Sequence, residues 1–332
     1  MRKRKWLFIV PLVLLIVYLL GPKPAQPHYS TQMPAVPADP AQLQQYVTAH
    51  EAAHHLKPDN EARIVWANDS LRQPTEVAIV YLHGFSASQE EGDPVHKDIA
   101  RRFGANLYLS RLSEHGLDTT DNMLHLTADS YWESAKEALA IGRQLGRKVI
   151  LMGTSTGGTL ALKLAADYPD VYALVLLSPN IAINDGNAWL LNNPWGLQIA
   201  RLVKGSDYLH STQDTRDVYK QYWTPRYRLE AAVSLQELLE TAMTDATFAK
   251  VKQPTLTLYY FKDQVHQDSV VKVSAILDMV KALGSPASQN IAMAIPGAGN
   301  HVIGSWIKSH DIEGVEAAIN GFMTETLGLS PQ

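Results

Sequence analysis

Seven short apolar runs, separated by longer helical stretches, constrain the fold of this chain more than any other feature. Most of the runs are continuously apolar and do not alternate with polar residues. A strand has this pattern when both of its faces are covered, so the runs predict a mostly parallel sheet with helices on each side. The predicted strands are 61–66, 76–82, 106–110, 148–152, 172–178, 255–261 and 290–295.

The stretches between these runs place Ala, Leu and Ile at helical spacing, at 94–103, 130–145, 159–167, 269–283 and 311–323. This alternation predicts a doubly wound α/β fold. The rhythm breaks between residues 180 and 250, which we interpret as an inserted, mainly helical cap. The aromatic residues of the cap either line an apolar pocket or only hold the cap on the sheet. They are Trp189, Trp195, Tyr208, Tyr219, Tyr222, Trp223 and Tyr227.

The sequence Gly153-Thr154-Ser155-Thr156-Gly157 stands between a predicted strand and a predicted helix. This G-x-S-x-G pattern is typical of a nucleophile on a tight strand-to-helix turn, where glycines on either side let the backbones approach. The helix that follows directs its first N–H groups at the serine and favours negative charge there. We therefore predict that Ser155 is a nucleophile.

A serine nucleophile needs a base to accept its proton and an acid to orient that base. Asp263 follows the run 255–261, at a strand end where open α/β sheets place their ligand crevice. His301 lies in a glycine-rich loop after the last predicted strand. The order Ser155, Asp263, His301 is that of the catalytic residues in α/β hydrolases, and we expect these three to form a triad.

Three other residues compete for the roles of base and acid. His266 and His310 stand at the edges of helical patterns, where a histidine is usually solvated. Asp268 follows Asp263 closely, but it precedes Ser269 and a helical run. We therefore interpret Asp268 as a helix N-cap.

The sequence His83-Gly84-Phe85 ends another predicted strand. A glycine at this point lets the loop approach a substrate carbonyl, so the backbone N–H of Phe85 can donate to an oxyanion. The N–H of Thr156, next to the predicted nucleophile, is the second expected donor. We predict that these two N–H groups form the oxyanion hole.

Together these motifs resemble those of α/β-hydrolase fold serine hydrolases, in the branch that holds carboxylesterases and monoacylglycerol lipases. The His-Gly-Phe sequence resembles the oxyanion loop of that family, and G-x-S-x-G its nucleophile elbow. Residues 111–116 resemble the family's R-x-x-G-H-G loop, with Glu114 in place of the glycine, and we assign this loop no catalytic role. The resemblance covers about residues 61–325. It implies hydrolysis of a carboxylic ester through an acyl-enzyme, without a cofactor.

Other activities stay open at this point. An acyltransferase or a thioesterase uses the same triad, and a non-catalytic binding module can keep the same fold. The sequence His50-Glu51-Ala52-Ala53-His54 also matches H-E-x-x-H, in which two histidines one helical turn apart bind the zinc of a peptidase. Because no obvious third ligand stands nearby, we interpret this segment as a helix that packs on the domain, and we predict no metal site.

The first twenty residues differ from the rest of the chain. Four basic residues, Arg2 to Lys5, precede an apolar stretch from Trp6 to Leu20. Because no A-x-A-like cleavage site follows, we predict an uncleaved membrane anchor over 1–20. The positive-inside rule then places the catalytic domain in the periplasm or outside the cell. A cleaved signal peptide, which would secrete the domain, and a buried core helix are the alternatives.

The region after the predicted anchor is rich in proline. Six prolines between residues 21 and 40 predict an extended, semi-rigid linker between the bilayer and the domain. Residues 41–330 then form the α/β-hydrolase domain, with its cap at about 180–250.

Composition adds two exclusions. The chain has no cysteine, which excludes a thiol nucleophile and a cysteine-based zinc site. Its net charge is −4 and its single dense basic run is at the N-terminus, so nothing favours a nucleic-acid partner. The expected partners are a small-molecule or lipid ester and, through the N-terminal segment, the membrane.

Overall fold

A seven-stranded sheet forms the centre of the computed structural model, which describes residues 2–210 and 214–332. The described residues contain nine strands, of which β6 and β7 lie outside this sheet: β1 (Arg63–Val65), β2 (Thr75–Leu82), β3 (Asn106–Leu109), β4 (Gly146–Thr154), β5 (Ala173–Leu177), β6 (Tyr208–His210), β7 (Arg226–Arg228), β8 (Thr255–Tyr259) and β9 (Asn290–Ala294). The sheet has the order β1-β3-β2-β4-β5-β8-β9. Only β1 is antiparallel to its neighbour. The predicted mostly parallel sheet is confirmed.

Strand β2 illustrates why the apolar runs become buried strands. Every residue from Val77 to Leu82 is buried. Since successive side chains of a strand point to opposite faces, a run of this kind needs cover on both sides. The two faces belong to two separate hydrophobic cores, one with Val77, Ile79 and Tyr81 and the other with Ala78, Val80 and Leu82.

Helices cover both faces of the sheet. Within the described residues the helices of the whole chain are α1 (Arg2–Leu19), α2 (Pro40–Ala52), α3 (Val95–Arg102), α4 (Ala128–Leu145), α5 (Thr156–Asp167), α6 (Gly196–Lys204), α7 (Asp217–Tyr222), α8 (Leu229–Ala242), α9 (Asp245–Phe248), α10 (Val273–Ala282) and α11 (Ile312–Gly321). Helices α4, α5, α8 and α10 contribute to one core, and α3 and α11 to the other. The layered α/β architecture therefore matches the predicted fold class.

The region between β5 and β8 is the predicted cap. It contains helices α6, α7, α8 and α9, as the sequence indicated. It also contains an antiparallel ribbon formed by β6 and β7, which the sequence did not indicate. Each of these two strands has only three residues, too few to produce a recognisable alternation. Residues 211–213, within the cap, lie outside the described residues.

The prediction of a membrane anchor, with the catalytic domain outside the cell, is wrong. Among the described residues, no helix has both the length and the apolar character needed to cross a membrane. The N-terminal helix α1 has 18 residues, but its first turn is the basic run that begins at Arg2. The apolar part that remains is shorter than the roughly 20 residues that span a bilayer.

The proline-rich segment packs on the domain through residues 28–32, which we name the strap. The carboxylate of Asp129 accepts the first two backbone N–H groups of the strap, at 2.8 and 3.1 Å. The side chains of Trp132, Lys136 and Tyr168 donate to its carbonyl groups, at 2.7, 2.8 and 2.9 Å. The strap is therefore bound to α4 and to the end of α5, whereas the sequence predicted an extended spacer here.

Candidate active site

Ser155 stands on the sharp turn between β4 and α5, as the sequence predicted. Its backbone dihedrals, φ 52° and ψ −116°, lie in a region that residues with a side chain rarely adopt. A Cβ atom on Gly157 would lie 1.9 Å from the carbonyl oxygen of Leu82, so only glycine fits there. The turn holds Ser155 at the carboxyl end of the sheet, where the residue is 5% exposed.

The structure places His301 against Asp268 and not against Asp263. Nδ1 of His301 lies 2.6 Å from Oδ2 of Asp268, and the two side chains are 9% and 0% exposed. The other carboxylate oxygen of Asp268 accepts the backbone N–H groups of Val270 and Val271, at 2.8 and 3.0 Å. Because both oxygens are engaged, the carboxylate is fixed and can orient the imidazole ring.

Asp263 lies on an exposed turn, where it contacts a different histidine. Its Oδ1 accepts the backbone N–H of His266 at 2.8 Å and lies 2.9 Å from Nδ1 of the same residue. The backbone N–H of His266, followed by its side chain, lowers the pKa of Asp263 to about 2. The expected pairing of Asp263 with His301 is therefore corrected to Asp268 with His301.

A reversal of the chain after β8 explains this difference. Phe261 and Gln267 form an antiparallel bridge, and the N–H of Asp268 donates to the carbonyl oxygen of Tyr260 at 3.1 Å. The reversal returns Asp268 to the end of the strand and leaves Asp263 at the tip of the turn. The sequence indicated the correct strand end but not the reversal that follows it.

Burial and pairing have opposite effects on the pKa values of this pair. Burial raises the pKa of Asp268, but the charge and hydrogen bond of His301 outweigh burial and leave this pKa below its usual value. Burial lowers the pKa of His301, but the charge and hydrogen bond of Asp268 outweigh it and leave the pKa raised. The site therefore favours an imidazolium beside a carboxylate, the state that follows proton transfer from a serine.

Two buried histidines hold residues 83–86, which we name the oxyanion loop. Nε2 of His83 accepts the backbone N–H of Leu112, and Nε2 of His115 accepts that of Ser86, both at 3.0 Å. Burial lowers the pKa of His83 to about 4 and that of His115 well below its usual value. Both rings are therefore neutral acceptors near pH 7, which keeps the loop in a defined position.

The predicted oxyanion donors lie next to these anchors. The N–H of Gly84 donates to the carboxyl group of Glu91, and the N–H of Ser86 donates to a buried histidine ring. The loop is thus held on both sides of Phe85. Thr156 is the first residue of α5, where backbone N–H groups have no partner within the helix. The role of Phe85 and Thr156 as oxyanion donors stays a prediction.

The sequence interpretation missed Glu91, which is 3% exposed beside the oxyanion loop. Burial raises the pKa of Glu91 to about 7, although the Gly84 N–H, His301 and Trp223 act to lower it. The only signal in the sequence is the acidic pair Glu90-Glu91 shortly after the oxyanion motif. Nothing in the sequence indicates that this pair is buried, because consecutive acidic residues are usually solvated.

Aromatic residues of the cap pack on one another and on the oxyanion loop. The ring of Phe85 meets that of Tyr227 edge-on, with centroids 4.9 Å apart, and the rings of Tyr219 and Trp223 are stacked 5.0 Å apart. The N–H of Thr224 donates to the carbonyl oxygen of the last loop residue at 2.7 Å. These contacts hold the cap on the loop. A further role of the cap aromatics in lining an acyl pocket stays a prediction.

The H-E-x-x-H segment has a structural role in α2. Oε2 of Glu51 accepts from Nε of Arg111 at 2.6 Å and from the backbone N–H of Ala62 at 2.8 Å. The side chains of this ion pair are 7% and 6% exposed, so the pair joins α2 to the loop after β3 in the interior. Within residues 2–210 and 214–332, no group of three or more potential ligands could hold a metal ion.

Comparison with known proteins agrees with this geometry. The model of the family described as serine aminopeptidase, S33, matches residues 73–291, well over half of the chain. The chain belongs to this family. The S33 family is one of serine hydrolases, so the prediction of an α/β-hydrolase fold serine hydrolase is confirmed.

One curated relative of this S33 protein is a thermostable monoacylglycerol lipase from Bacillus sp. (strain H-257), 29% identical over 107 residues. The match covers 32% of this chain and 42% of the lipase, so it spans less than half of the relative's length. Because of this partial coverage, the substrate of the lipase enters below only as part of a proposal.

Solved structures share the fold over most of the chain. A metagenome-derived lipolytic enzyme from the study of LipS and LipT has a TM-score of 0.64 at 17% identity, over 82% of this chain and 100% of its own. The Paleococcus ferrophilus monoacylglycerol lipase has a TM-score of 0.58 at 16% identity, over 80% of this chain and 98% of its own. Est1E from Butyrivibrio proteoclasticus with bound ferulic acid has a TM-score of 0.54 at 18% identity, over 81% of this chain and 95% of its own. At these identities the likeness shows the fold alone.

Proposed function

We propose that this S33-family protein is a serine ester hydrolase of the esterase or lipase type, with Ser155, His301 and Asp268 as its triad. The observation that carries the proposal is the buried 2.6 Å pair of His301 and Asp268. The pair supplies the base and the acid that a serine nucleophile on a strained strand-to-helix turn needs. The names of the similar lipases and esterases support an ester as the substrate.

The position of the oxyanion loop also supports the proposal. A Cβ atom on Gly84 would lie 3.1 Å from the Cβ of Ser155 and 2.8 Å from Oε2 of Glu91. The loop therefore passes directly beside the serine. A carbonyl group bound at Ser155 would lie within reach of backbone N–H groups of this loop and of the start of α5.

The proposed mechanism uses only groups of this chain and water. Oγ of Ser155 attacks the ester carbonyl while Nε2 of His301 accepts its proton and then returns it to the leaving alcohol. Asp268 keeps the imidazole oriented and stabilises the imidazolium. The N–H groups of Phe85 and Thr156 hold the oxyanion, and each such donor lowers the barrier by about 3 kcal/mol. Water, activated by the same base, then cleaves the acyl-enzyme.

Removal of the nucleophile tests the reaction class. We expect Ser155→Ala to abolish hydrolysis of short p-nitrophenyl esters by the full chain, while its thermal unfolding stays close to that of the wild type. A fluorophosphonate probe should label the wild type at Ser155. Full activity of Ser155→Ala, or an active wild type that the probe leaves unlabelled, would contradict the proposal.

The two candidate acids provide a matched comparison. Asp268→Asn removes the charge beside His301 and favours the wrong imidazole tautomer, so we expect kcat to fall by roughly 10³- to 10⁴-fold. Asp263→Asn changes an exposed carboxylate of the same type and should leave kcat within about twofold. The opposite ranking of the two variants would return the acid role to Asp263.

The substrate class is tested with a panel of esters and monoacylglycerols of increasing acyl length. A preference for long chains would support a lipase, and a preference for short or aromatic acyl groups an esterase.

A further inference from the structure

The strongest unassigned feature of the molecule is the buried carboxyl group of Glu91. Among the described residues it forms hydrogen bonds with the N–H of Gly84 and the indole of Trp223, and it interacts with the charge of His301. It is 3% exposed and belongs to a short 3₁₀-helix, Gln89–Gly92, that begins shortly after the oxyanion loop. A residue in this position contacts the oxyanion loop and interacts electrostatically with the proposed base.

We propose that Glu91 is a positioning residue, whose oxygens fix the oxyanion loop through Gly84 and whose charge adjusts the basicity of His301. The inference rests on the proposed triad.

The first part of the proposal follows from the geometry of the loop. The N–H of Gly84 donates to Oε2 of Glu91, next to the expected donor N–H of Phe85. A Cβ atom at Gly84 would lie 2.8 and 2.9 Å from the two carboxyl oxygens and 3.1 Å from the Cβ of Ser155. Only the glycine backbone separates the carboxyl group from the nucleophile, so a shift of Glu91 would move the loop relative to the serine.

The second part follows from the charges around the group. The loop after β9 that carries His301 packs on the helix of Glu91, since Oγ of Ser305 donates to the carbonyl oxygen of Glu90 at 2.9 Å. The charges of His301 and Glu91 each favour ionisation of the other. Among the described residues, two phenols also interact with the charge of Glu91, Tyr81 on β2 and Tyr131 on α4, and their pKa values lie well above their usual value. Near pH 7 these phenols are neutral. The charge that Glu91 gains or loses in this range therefore acts mainly on His301.

The neighbouring Glu90 is a matched control. Its carboxyl group is also buried and lies one residue away, but Oε1 accepts the indole N–H of Trp306 at 2.9 Å. His301 is not among the groups that set the pKa of Glu90, which burial raises. Glu90→Gln therefore removes a buried carboxyl group of the same helix without changing the charge opposite His301.

The experiment compares the pH profile of kcat/KM for wild type, Glu91→Gln and Glu90→Gln, all as the full chain with one p-nitrophenyl ester. Glutamine keeps an oxygen acceptor for the Gly84 N–H but carries no charge. Because the lost charge no longer raises the pKa of His301, we expect the acid limb of Glu91→Gln to move to lower pH by about 0.5 unit or more. The profile of Glu90→Gln should coincide with that of the wild type.

If Glu91 has only a structural role, Glu91→Gln will have a lower melting temperature than the wild type, but the acid limb of its pH profile will not move. This result would overturn the proposal. An equal shift in Glu90→Gln would overturn it as well, because the effect would then not be specific to the charge facing His301.

If Glu91→Gln does not fold, Trp223→Phe provides a second test. Removal of the indole N–H raises the pKa of Glu91, so less of it is ionised and the acid limb should again move to lower pH. A wild-type profile in that variant would count against the proposal.

Ser155→Ala separates this inference from the proposed function. An inactive Ser155→Ala together with an unshifted Glu91→Gln profile would refute the role of Glu91 alone. An active Ser155→Ala would refute the triad and, with it, the role of Glu91.

Discussion

At the scale of single residues, Gly157 decides whether the nucleophile turn can form. A methyl group at this position would meet the carbonyl oxygen of Leu82 at 1.9 Å, and backbone atoms cannot move aside as a flexible side chain can. We expect Gly157→Ala to lower the free energy of unfolding by about 3 kcal/mol or to prevent folding. Urea denaturation measures the effect.

Gly186→Ala is the matched control for this prediction. Gly186 has nothing within 4 Å of the position of its missing Cβ, so the same substitution should change stability by less than about 1 kcal/mol. Equal denaturation midpoints for the two variants would contradict the steric argument.

The residues of the candidate site differ in how far the sequence could predict them. The sequence could predict that Ser155 and His301 lie at strand ends, because one belongs to a turn motif and the other to a glycine-rich loop. Asp268 was not, because two aspartates follow the same strand and only the reversal of the chain determines which one returns to it. Its interpretation as an N-cap was also wrong, since the N-cap residue of α10 is Lys272.

At the scale of elements, helix α7 of the cap is held by one lysine from the region before β1. Nζ of Lys57 donates to the carbonyl oxygens of Lys220 and Trp223, at 3.1 and 2.8 Å, and lies 3.3 Å from Oγ1 of Thr224. Because the last carbonyl groups of a helix lack intrahelical partners, this ammonium group binds the end of α7.

Replacement of Lys57 tests whether this contact sets the position of the cap. We expect Lys57→Met to raise KM for a p-nitrophenyl ester roughly 3- to 10-fold, with a smaller change in kcat, because Trp223 and the cap lose a fixed position. Steady-state kinetics of the full chain measures both. Lys204→Met, at an exposed lysine of α6, should leave KM unchanged. A wild-type KM in Lys57→Met would show that other contacts suffice.

Elements with a long apolar pattern could be predicted from the sequence, and elements without one could not. The seven strands of the sheet were predicted because burial on both faces requires continuous apolar runs, as in Val77–Leu82. The sequence did not predict that the strap packs on the domain, because its contacts are not local. Its hydrogen bonds join backbone groups to side chains such as Asp129 and Trp132, about a hundred residues away, and no local sequence pattern indicates such partners.

At the scale of the whole molecule, buried titratable groups govern the stability of the fold as pH falls. Burial lowers the pKa values of His83 and His96 to about 4 and that of His115 well below its usual value. Below about pH 6.5 the unfolded chain binds protons at these histidines, whereas the folded chain binds them only at much lower pH. The free energy of unfolding therefore decreases as the pH decreases. Glu91 and His301 act in the opposite direction, because their pKa values are raised in the folded state, that of Glu91 from 4.5 to about 7.

The three histidines with lowered pKa values outweigh Glu91 and His301 in this balance. We therefore expect the free energy of unfolding to be lower at pH 5 than at pH 7 by about 3 kcal/mol, measured by urea denaturation at constant ionic strength. The decrease should be steeper in Glu91→Gln, which lacks the group that gains stability on protonation. A constant free energy of unfolding between these pH values would contradict this account.

The attachment of the strap also bears on how the protein can be handled. Two residues that precede the strap, Val17 and Pro22, contact the cap. The backbone N–H of Trp195 donates to the carbonyl oxygen of Pro22, and the indole N–H of Trp195 donates to that of Val17, both at 2.9 Å. The N-terminal helix is thus joined to the cap as well as to the chain. A support coupled to the N-terminus would connect to the cap through the length of α1, about 27 Å. The C-terminus lies against the end of α3, where the N–H of Gln332 donates to the carbonyl oxygen of Arg102 at 2.9 Å. Supports coupled at the two ends would therefore reach the domain at different elements, the cap and α3.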